Sequence, residues 1–295
     1  MTAPTYRWFQ PQSLSVPGAL VNEDAVAVSA SSLIMIDGAT GLAAGRRTGW
    51  PSDAQWLAHS LATLLTERLD GDISIADALG QCLDELRIEY GDDDDGGLGP
   101  SASVLIARIT GSELEVYSLG DCLALVGMAD GSVASIRDGA VGELDAAVLS
   151  RLQELRRGTD LAIDQARALV QDLLIGNRKL RNRPEGYWIA DLSAAGVGHA
   201  LTRTLPAAQV RDVALMTDGY AAALDVARLV GTAGALLQEL RRSGPVPLMG
   251  ALVARLSDDP RCTAFPRLKP MDDSSVVIAR LLGNTDAVDE ATSLP

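Results

Sequence analysis

Histidine is scarce in this sequence, which contains only His59 and His199 among its 295 residues. His59 lies within a leucine pattern of helical spacing, which predicts a position on a helix surface. His199 has no serine or cysteine beside it in a recognisable nucleophile motif. A histidine-rich zinc site is therefore excluded, and a serine–histidine–aspartate triad has no support.

Cysteine is also scarce and forms no motif. Cys82, Cys122 and Cys262 are odd in number, far apart and without CxxC spacing, which argues against a disulfide framework and against structural zinc. The first residues, MTAPTYRWFQPQ, lack a basic start followed by an apolar segment, and no run of about 18 apolar residues occurs. We therefore predict a cytoplasmic protein that is neither exported nor embedded in a membrane.

Positive charge is in deficit, because the net charge is −14 and the isoelectric point is near 4.5. Nucleic-acid and anionic-membrane surfaces need clustered lysine and arginine to neutralise phosphates, so we expect neither partner. A ligand that carries phosphate would need a metal ion or a few well-placed arginines at its site.

The apolar residues, 47% of the chain, suffice for a large core and alternate between strand and helix patterns. Strands are predicted at residues 25–28, 33–36, 103–109, 114–119, 123–126, 133–136, 187–190, 213–216 and 275–282. Helices are predicted at 53–69, 75–90, 222–242 and 247–257, with two more inside 144–175 that are broken at 157–159. The acidic run GDDDDGGLGP (91–100) lacks the spacing of an EF-hand calcium loop and predicts a solvated loop.

The order of these elements does not alternate as βαβ units. It favours an α+β fold, a β-sandwich of two antiparallel sheets flanked by pairs of α-helices. No repeat or linker marks a boundary, so we expect one domain over residues 1–283 and a flexible tail at 284–295.

Aspartates stand at the ends of several predicted strands, namely Asp24, Asp37, Asp121, Asp218, Asp272 and Asp273. Taken singly, each fits ordinary turn chemistry, since Asp-Gly is a common turn pair. If neighbouring strands bring these ends together, the carboxylates would repel one another unless cations held them. Hard oxygen ligands suit Mg²⁺ or Mn²⁺ and not zinc, and the carbonyl of Gly38 could face such an ion.

Seven short motifs follow one another in a recognisable order. They are NEDA at 22–25, DG at 37–38, SAS at 101–103, LGDC at 119–122, LTRTL at 201–205, MTDG at 216–219 and DDSSVVI before the last strand. This series resembles the metal-dependent serine/threonine protein phosphatases of the 2C family over about residues 18–283. The family fold, a β-sandwich flanked by helix pairs, agrees with the fold expected from the element order.

The resemblance implies a role for each matched acid. Asp37 is similar to the carboxylate that bridges two metal ions, with the Gly38 carbonyl as a further ligand. Asp218 and Asp272 correspond to ligands of the second ion, and Asp272 is preferred to Asp273 because the family motif puts its metal acid first. Asp24, beside Glu23, resembles the acid that holds metal-bound water. Asp121 resembles the acid of a third, weaker site described in some members.

The implied reaction is hydrolysis of phosphoserine and phosphothreonine in proteins by water that two Mn²⁺ or Mg²⁺ ions activate, without a protein nucleophile. A phosphorylated protein would be the substrate, and a serine/threonine kinase is a possible partner. One alternative is a metal-retaining module that binds phosphoproteins with little turnover. Another is a phosphohydrolase for a small molecule, and the sequence offers no pocket signature for it.

Two positions depart from the family. Many members have a histidine after the DG pair as an acid for the leaving alkoxide, where this chain has Ala39, and an arginine that grips phosphate, where this chain has Ala19. A metal-bound water could replace the acid, since losing a general acid costs about 10² to 10⁴ in rate. The candidates to replace the arginine are Arg46, Arg47 and Arg203, which are equally compatible with solvent-facing loop charges.

Overall fold

The computed structural model describes residues 5–41, 46–91 and 99–283. The strands are β1 (Tyr6–Val16), β2 (Asp24–Val28), β3 (Ser32–Ala39), β4 (Ser101–Thr110), β5 (Glu113–Leu119), β6 (Leu123–Met128), β7 (Val133–Ile136), β8 (Ala190–Asp191), β9 (Leu201–Pro206), β10 (Val210–Met216) and β11 (Ser274–Gly283). The helices are α1 (Asp53–Arg68), α2 (Ile75–Tyr90), α3 (Ala140–Arg156), α4 (Ile163–Leu169), α5 (Gln171–Arg178), α6 (Asp218–Asp225), α7 (Ala233–Ser243) and α8 (Pro245–Ser257).

The strands form two antiparallel sheets, and this confirms the predicted α+β sandwich. The first sheet has the order β1-β11-β10-β6-β7, and the second has the order β2-β3-β4-β5-β9 with β8 paired to β4. One apolar cluster fills the space between the two sheets. A second cluster lies between the second sheet and its outer helices, and a third lies between the first sheet and its outer helices. Helices α1 and α2 cover the second sheet, whereas the first is covered by three helices, α6 to α8, where the sequence predicted a pair.

Strand β3 shows why a central strand of this fold is apolar without alternation. Leu33 and Met35 point into the cluster between the sheets, whereas Ile34 and Ile36 point into the cluster below α1 and α2. All four side chains are fully buried. The continuous run LIMI is therefore a strand buried on both faces, and it ends at the acid Asp37.

Helices α1 and α2 begin where side-chain caps satisfy their first amide groups. The hydroxyl of Ser52 accepts a hydrogen bond from the Gln55 amide, and that of Ser74 accepts one from the Asp77 amide. Each cap fixes a helix start at the position predicted from sequence. Helices α3 to α5 form a separate layer, in which Val148, Leu152 and Ile163 pack around Cys262.

Two strands, β1 and β9, were not predicted from the sequence. Strand β1 lies at a sheet edge and carries Pro11 beside a register break between Phe9 and Gln12, so its sequence does not show a regular alternation. Strand β9 pairs with β5, yet most of its side chains are exposed and give no apolar signal. Because β1 comes first, the strand that Asp24 begins is the second strand of the chain.

Three predicted elements need correction. The helix predicted at 222–242 is two helices, because α6 ends at Asp225 and α7 begins only after Thr232, whose hydroxyl caps it. The strand predicted at 187–190 is reduced to the two-residue β8. The region 144–175 contributes to three helices, although the predicted break at 157–159 is confirmed.

Several predictions fall outside the described part of the chain. Residues 92–98 of the predicted acidic loop and the predicted tail at 284–295 are among them, so the division into one domain and a tail stays a prediction. In the ranges that are described, no helix has both the length and the apolar character needed to cross a membrane.

Candidate functional site

Strand pairing places two of the predicted acids and a serine in one row across the second sheet. Asp24 on β2 is the register partner of Asp37 on β3, and Asp37 is the partner of Ser103 on β4. The hydroxyl of Ser103 donates a hydrogen bond of 2.6 Å to Oδ1 of Asp121, which lies in the turn after β5. Asp24, Asp37 and Asp121 therefore meet at one end of this sheet.

The first sheet contributes Asp218 and Asp272 from two adjacent strand ends. Asp218 opens α6 directly after β10, and Asp272 lies two residues before β11, which pairs with β10. A Cβ atom on Gly219 would overlap the carbonyl oxygen of Asp273. The absence of a side chain at Gly219 thus allows the two strand ends, and the acids they carry, to approach closely.

Hydrogen bonds join the two sheets at this point. The Thr217 hydroxyl donates to Oδ2 of Asp24 at 3.1 Å, and Thr217 immediately precedes Asp218. The backbone of Gly38 is held against β2, because its amide donates to the Glu23 carbonyl at 3.1 Å. A Cβ on Gly38 would lie 2.5 Å from that same oxygen, so this close approach requires glycine.

The neighbouring acids Asp272 and Asp273 have different surroundings. Both carboxylate oxygens of Asp273 accept backbone hydrogen bonds of 2.7 Å, one from Gly18 and one from Glu23. Oδ1 of Asp272 forms an ion pair with Nζ of Lys269. Asp273 thus fixes the backbone of the loop before β2, while Asp272 remains with the acid cluster.

The clustered acids raise one another's pKa. Burial, followed by repulsion from Asp273 and Asp272, raises the pKa of Asp24 to about 7, although the nearby hydroxyl groups of Ser275 and Thr217 oppose the shift. Loss of solvation and the neighbouring carboxylates also raise the pKa values of Asp37 and Asp218 well above the ordinary range. Asp24 is buried, Asp37 is half-buried and Asp218 keeps access to solvent. A cation reaching Asp218 from solvent would relieve this repulsion.

The chemistry of the donors fits a hard divalent cation. Every predicted ligand is an oxygen, and Oδ1 of buried Asp24 has no hydrogen-bond partner. Within the described ranges, no three acidic, cysteine or histidine side chains converge tightly enough to hold an ion as they stand. The side chains of Asp37, Asp218 and Asp272 would therefore have to move to bind a metal ion together.

The three arginines predicted to bind phosphate make other contacts. The guanidinium of Arg46 donates to the carbonyls of Trp50 and Pro51 at 3.0 and 3.1 Å, and that of Arg47 lies 5.3 Å from the centre of the Tyr90 ring. Arg203 is exposed on β9 opposite Val116, in the middle of β5. None of these contacts involves the clustered acids, so a phosphate-binding role for these arginines stays a prediction.

Three charged residues near the cluster were not identified from the sequence. Besides Lys269, they are Arg178, which donates to the Ser101 hydroxyl and the Thr40 carbonyl, and Asp145 on α3. Burial and repulsion from Asp121 raise the pKa of Asp145 to about 6, against the attraction of Arg178 and Lys269. Lys269 precedes Asp272 by three residues, a spacing visible in the sequence. No pattern shows that α3 and α5 approach the same strand ends.

Comparison with known proteins identifies the family and agrees with the fold. A family model described as Protein phosphatase 2C matches residues 18–257. The search of curated proteins found no match. Several solved structures share the fold. One is the catalytic domain of the serine/threonine phosphatase PstP in complex with two manganese ions, which is 18% identical, with 94% of this chain and 100% of that chain covered and a TM-score of 0.53.

Two further structures are similar over nearly their whole length. The serine/threonine phosphatase Stp1 from Staphylococcus aureus is 12% identical, with 95% of this chain and 97% of that chain covered and a TM-score of 0.54. PppA, described as a key regulatory component of T6SS in Pseudomonas aeruginosa, is 18% identical, with coverages of 95% and 99% and a TM-score of 0.52. At such identities these structures show the fold alone.

Proposed function

Because the chain belongs to the protein phosphatase 2C family, we propose that it is a metal-dependent phosphatase acting on phosphoserine and phosphothreonine in proteins. The observation that carries this proposal is that Asp24 and Asp37, which are paired on the second sheet, are linked through the Thr217 hydroxyl to the end of the first sheet, where Asp218 and Asp272 lie. Each lies at a strand end, and their chain positions are far apart. Packing carboxylates together is costly unless a cation compensates them.

The residues assigned to the metal are those that the sequence predicted. Asp37 would bridge two Mn²⁺ or Mg²⁺ ions with help from the Gly38 carbonyl, Asp218 and Asp272 would hold the second ion, and Asp121 would serve a third. Bound ions would lower the pKa of a water molecule and neutralise the phosphoryl oxygens. In a chain of net charge −14, they would also supply the positive field that attracts phosphate.

Asp24 is suited to position the attacking water. Its Oδ2 accepts a hydrogen bond from the Thr217 hydroxyl, and its Oδ1 is buried without a hydrogen-bond partner. A water molecule that donates to Oδ1 would be oriented by a carboxylate whose own position is set by two sheets. We therefore propose Asp24 as a catalytic residue beside Asp37 and Asp218, whose catalytic role rests on the metal site proposed above.

A phosphatase assay tests the proposal. The purified protein should release phosphate from a phosphothreonine peptide only when Mn²⁺ or Mg²⁺ is present, and Asp37→Asn and Asp218→Asn should abolish release. Asp130→Asn is a matched control, since Asp130 caps the turn after β6, at the end of that strand opposite Asp121. Full metal-dependent activity in both Asp37→Asn and Asp218→Asn would refute the proposal.

A second candidate function follows from Ala39 and Ala19, which stand where many family members have a histidine and an arginine. The alternative is a module that retains metal and binds a phosphoprotein with weak or no turnover. Calorimetry that detects binding of Mn²⁺ and phosphopeptide, together with an assay that detects no hydrolysis, would favour this alternative. The same assay with small phosphate esters would identify a small-molecule phosphohydrolase.

We also propose a substrate, a partner and a cellular compartment. A phosphorylated protein is the expected substrate, and a serine/threonine kinase is the natural source of that modification. The three cysteines are free and buried, which supports a reducing compartment such as the cytoplasm.

A further inference from the structure

The acid cluster already contains one cation of the protein's own. The ammonium of Lys269 forms an ion pair with Oδ1 of Asp272 and interacts electrostatically with Asp218 and Asp37 as well. These three carboxylates are the ones assigned above to the metal ions. Lys269 thus faces the same anionic groups that a metal ion would have to engage.

The loop that carries Lys269 is anchored on both sides. The buried Arg267 donates through Nε to the Pro270 carbonyl at 2.9 Å and through Nη1 to Oδ2 of Asp259 at 2.9 Å. Beyond Lys269, the carboxylate of Asp273 binds two backbone amides. The backbone position of Lys269 is therefore fixed, while its side chain remains 48% exposed and free to change partner.

We propose that Lys269 exchanges anions during the working cycle: its ammonium pairs with Asp272 in the metal-free protein, leaves it when a metal ion binds, and then binds the phosphate of the substrate. The exchange follows from competition, because a divalent ion held by Asp272 would engage the same carboxylate that pairs with the ammonium. A released ammonium next to the site would supply the positive charge that Ala19 does not. Both steps rest on the metal site proposed at Asp272, and the identity of the second anion rests on the proposed phosphatase activity as well.

The composition of the chain makes this exchange directly observable. Lys179 and Lys269 are its only lysines, and Lys179 is exposed at the end of α5. Reductive ¹³C-methylation would give one NMR signal for each lysine and one for the N-terminus, with the charge of each amine retained. Loss of a signal in Lys269→Arg would assign Lys269, and the Lys179 signal would serve as an internal reference.

In the metal-free state, we expect the Lys269 signal of Asp272→Asn to differ in chemical shift from that of the wild type. Adding diamagnetic Mg²⁺ to the wild type should also change the chemical shift of its Lys269 signal. Adding inorganic phosphate to the Mg²⁺-loaded protein should then move the Lys269 signal and leave that of Lys179 in place. If the chemical shift of the Lys269 signal does not change in Asp272→Asn or on adding Mg²⁺, the competition with metal is refuted. If it does not change on adding phosphate, the binding of phosphate by Lys269 is refuted.

Two further measurements complete the test. By calorimetry, Lys269→Met should bind Mn²⁺ about 2- to 5-fold more tightly, a small change because an exposed ion pair contributes little free energy. The same variant should show a KM for phosphopeptide raised about tenfold, because it lacks the charged contact with the phosphate. Lys179→Met should change neither. If phosphopeptide is not hydrolysed but the Lys269 signal responds to metal, the proposed function fails and the competition stands. If phosphopeptide is hydrolysed but the Lys269 signal does not respond to metal, the proposed function stands and the competition is refuted.

Discussion

The hydroxyl of Thr217 donates a hydrogen bond of 3.1 Å to Oδ2 of Asp24, and this bond joins the two sheets directly beneath the acid cluster. The same hydroxyl accepts a hydrogen bond of 2.9 Å from the Ser275 amide. Thr217 immediately precedes Asp218, and Asp24 is the register partner of Asp37. One hydroxyl thus helps to set the relative positions of acids that come from opposite sheets.

Removing this hydroxyl should weaken the fold. Thr217→Ala would leave the buried Asp24 carboxylate and the Ser275 amide without their partner, which should cost about 1–3 kcal/mol in the free energy of unfolding. Thr217→Ser keeps the hydroxyl and should lie closer to the wild type. Urea denaturation of the three proteins measures the difference, and equal stability of all three would show that the bond contributes nothing.

The stability of the metal-free protein should fall as the pH rises from about 4 to 7. The pKa of Asp24 is raised from its ordinary value of 3.8 to about 7 in the folded state, so the folded protein retains a proton that the unfolded chain has released. Asp37 and Asp218 shift in the same direction. Urea denaturation in EDTA across this range should therefore give a smaller slope with pH for Asp24→Asn. Identical slopes would contradict the assigned shift.

Gly219 should be essential for the geometry of the metal site. In Gly219→Ala, the new methyl group would collide with the Asp273 carbonyl and separate Asp218 from Asp272. We expect Mn²⁺ affinity to fall about 10- to 100-fold, as for other residues that position metal ligands. Gly250→Ala is the matched control, since Gly250 is also helical but has open space around its Cβ position. An unchanged Mn²⁺ affinity in Gly219→Ala would be inconsistent with this account.

Asp272 and Asp273 should separate metal binding from stability. Asp272→Asn should lose Mn²⁺ affinity and retain most of the folding free energy, because Asp272 carries a proposed ligand and the backbone bond that its Oδ1 accepts comes from the adjacent Asp273 amide, which the oxygen of Asn can also accept. Asp273→Asn should lose about 1.5–3 kcal/mol of stability, because its charged carboxylate accepts two backbone hydrogen bonds.

Calorimetry with Mn²⁺ and thermal unfolding in EDTA, applied to both variants, would reveal the pattern. The opposite pattern, with Asp273→Asn losing the metal and Asp272→Asn losing stability, would reassign the ligand to Asp273.

The sequence drew attention to these acids because each lies where an apolar run ends. LIMI before Asp37 and VALM before Asp218 are strands buried on both faces, so their ends were visible as the point where polar residues begin. Which ends meet was not visible from the pattern itself. That information came from the family resemblance, and the structure brings Asp24, Asp37 and Asp218 together.

Other parts of the site could not be predicted, for physical reasons. Lys269 reaches Asp272 because buried Arg267 and Asp259 fold the preceding loop, a tertiary arrangement that leaves no periodic signal. Arg178 and Asp145 approach the strand ends only through the packing of α3 and α5. Strand β1 was missed because an edge strand with a proline and a register break needs no regular apolar alternation.

The central claim is that the clustered aspartates hold catalytic metal, and one cycle of metal removal and return tests it most directly. Protein treated with EDTA and then freed of it should release no phosphate from a phosphothreonine peptide, and should regain release when Mn²⁺ is added to the wild type but not to Asp37→Asn. Release by the stripped protein, or restoration in Asp37→Asn equal to that in the wild type, would contradict the claim.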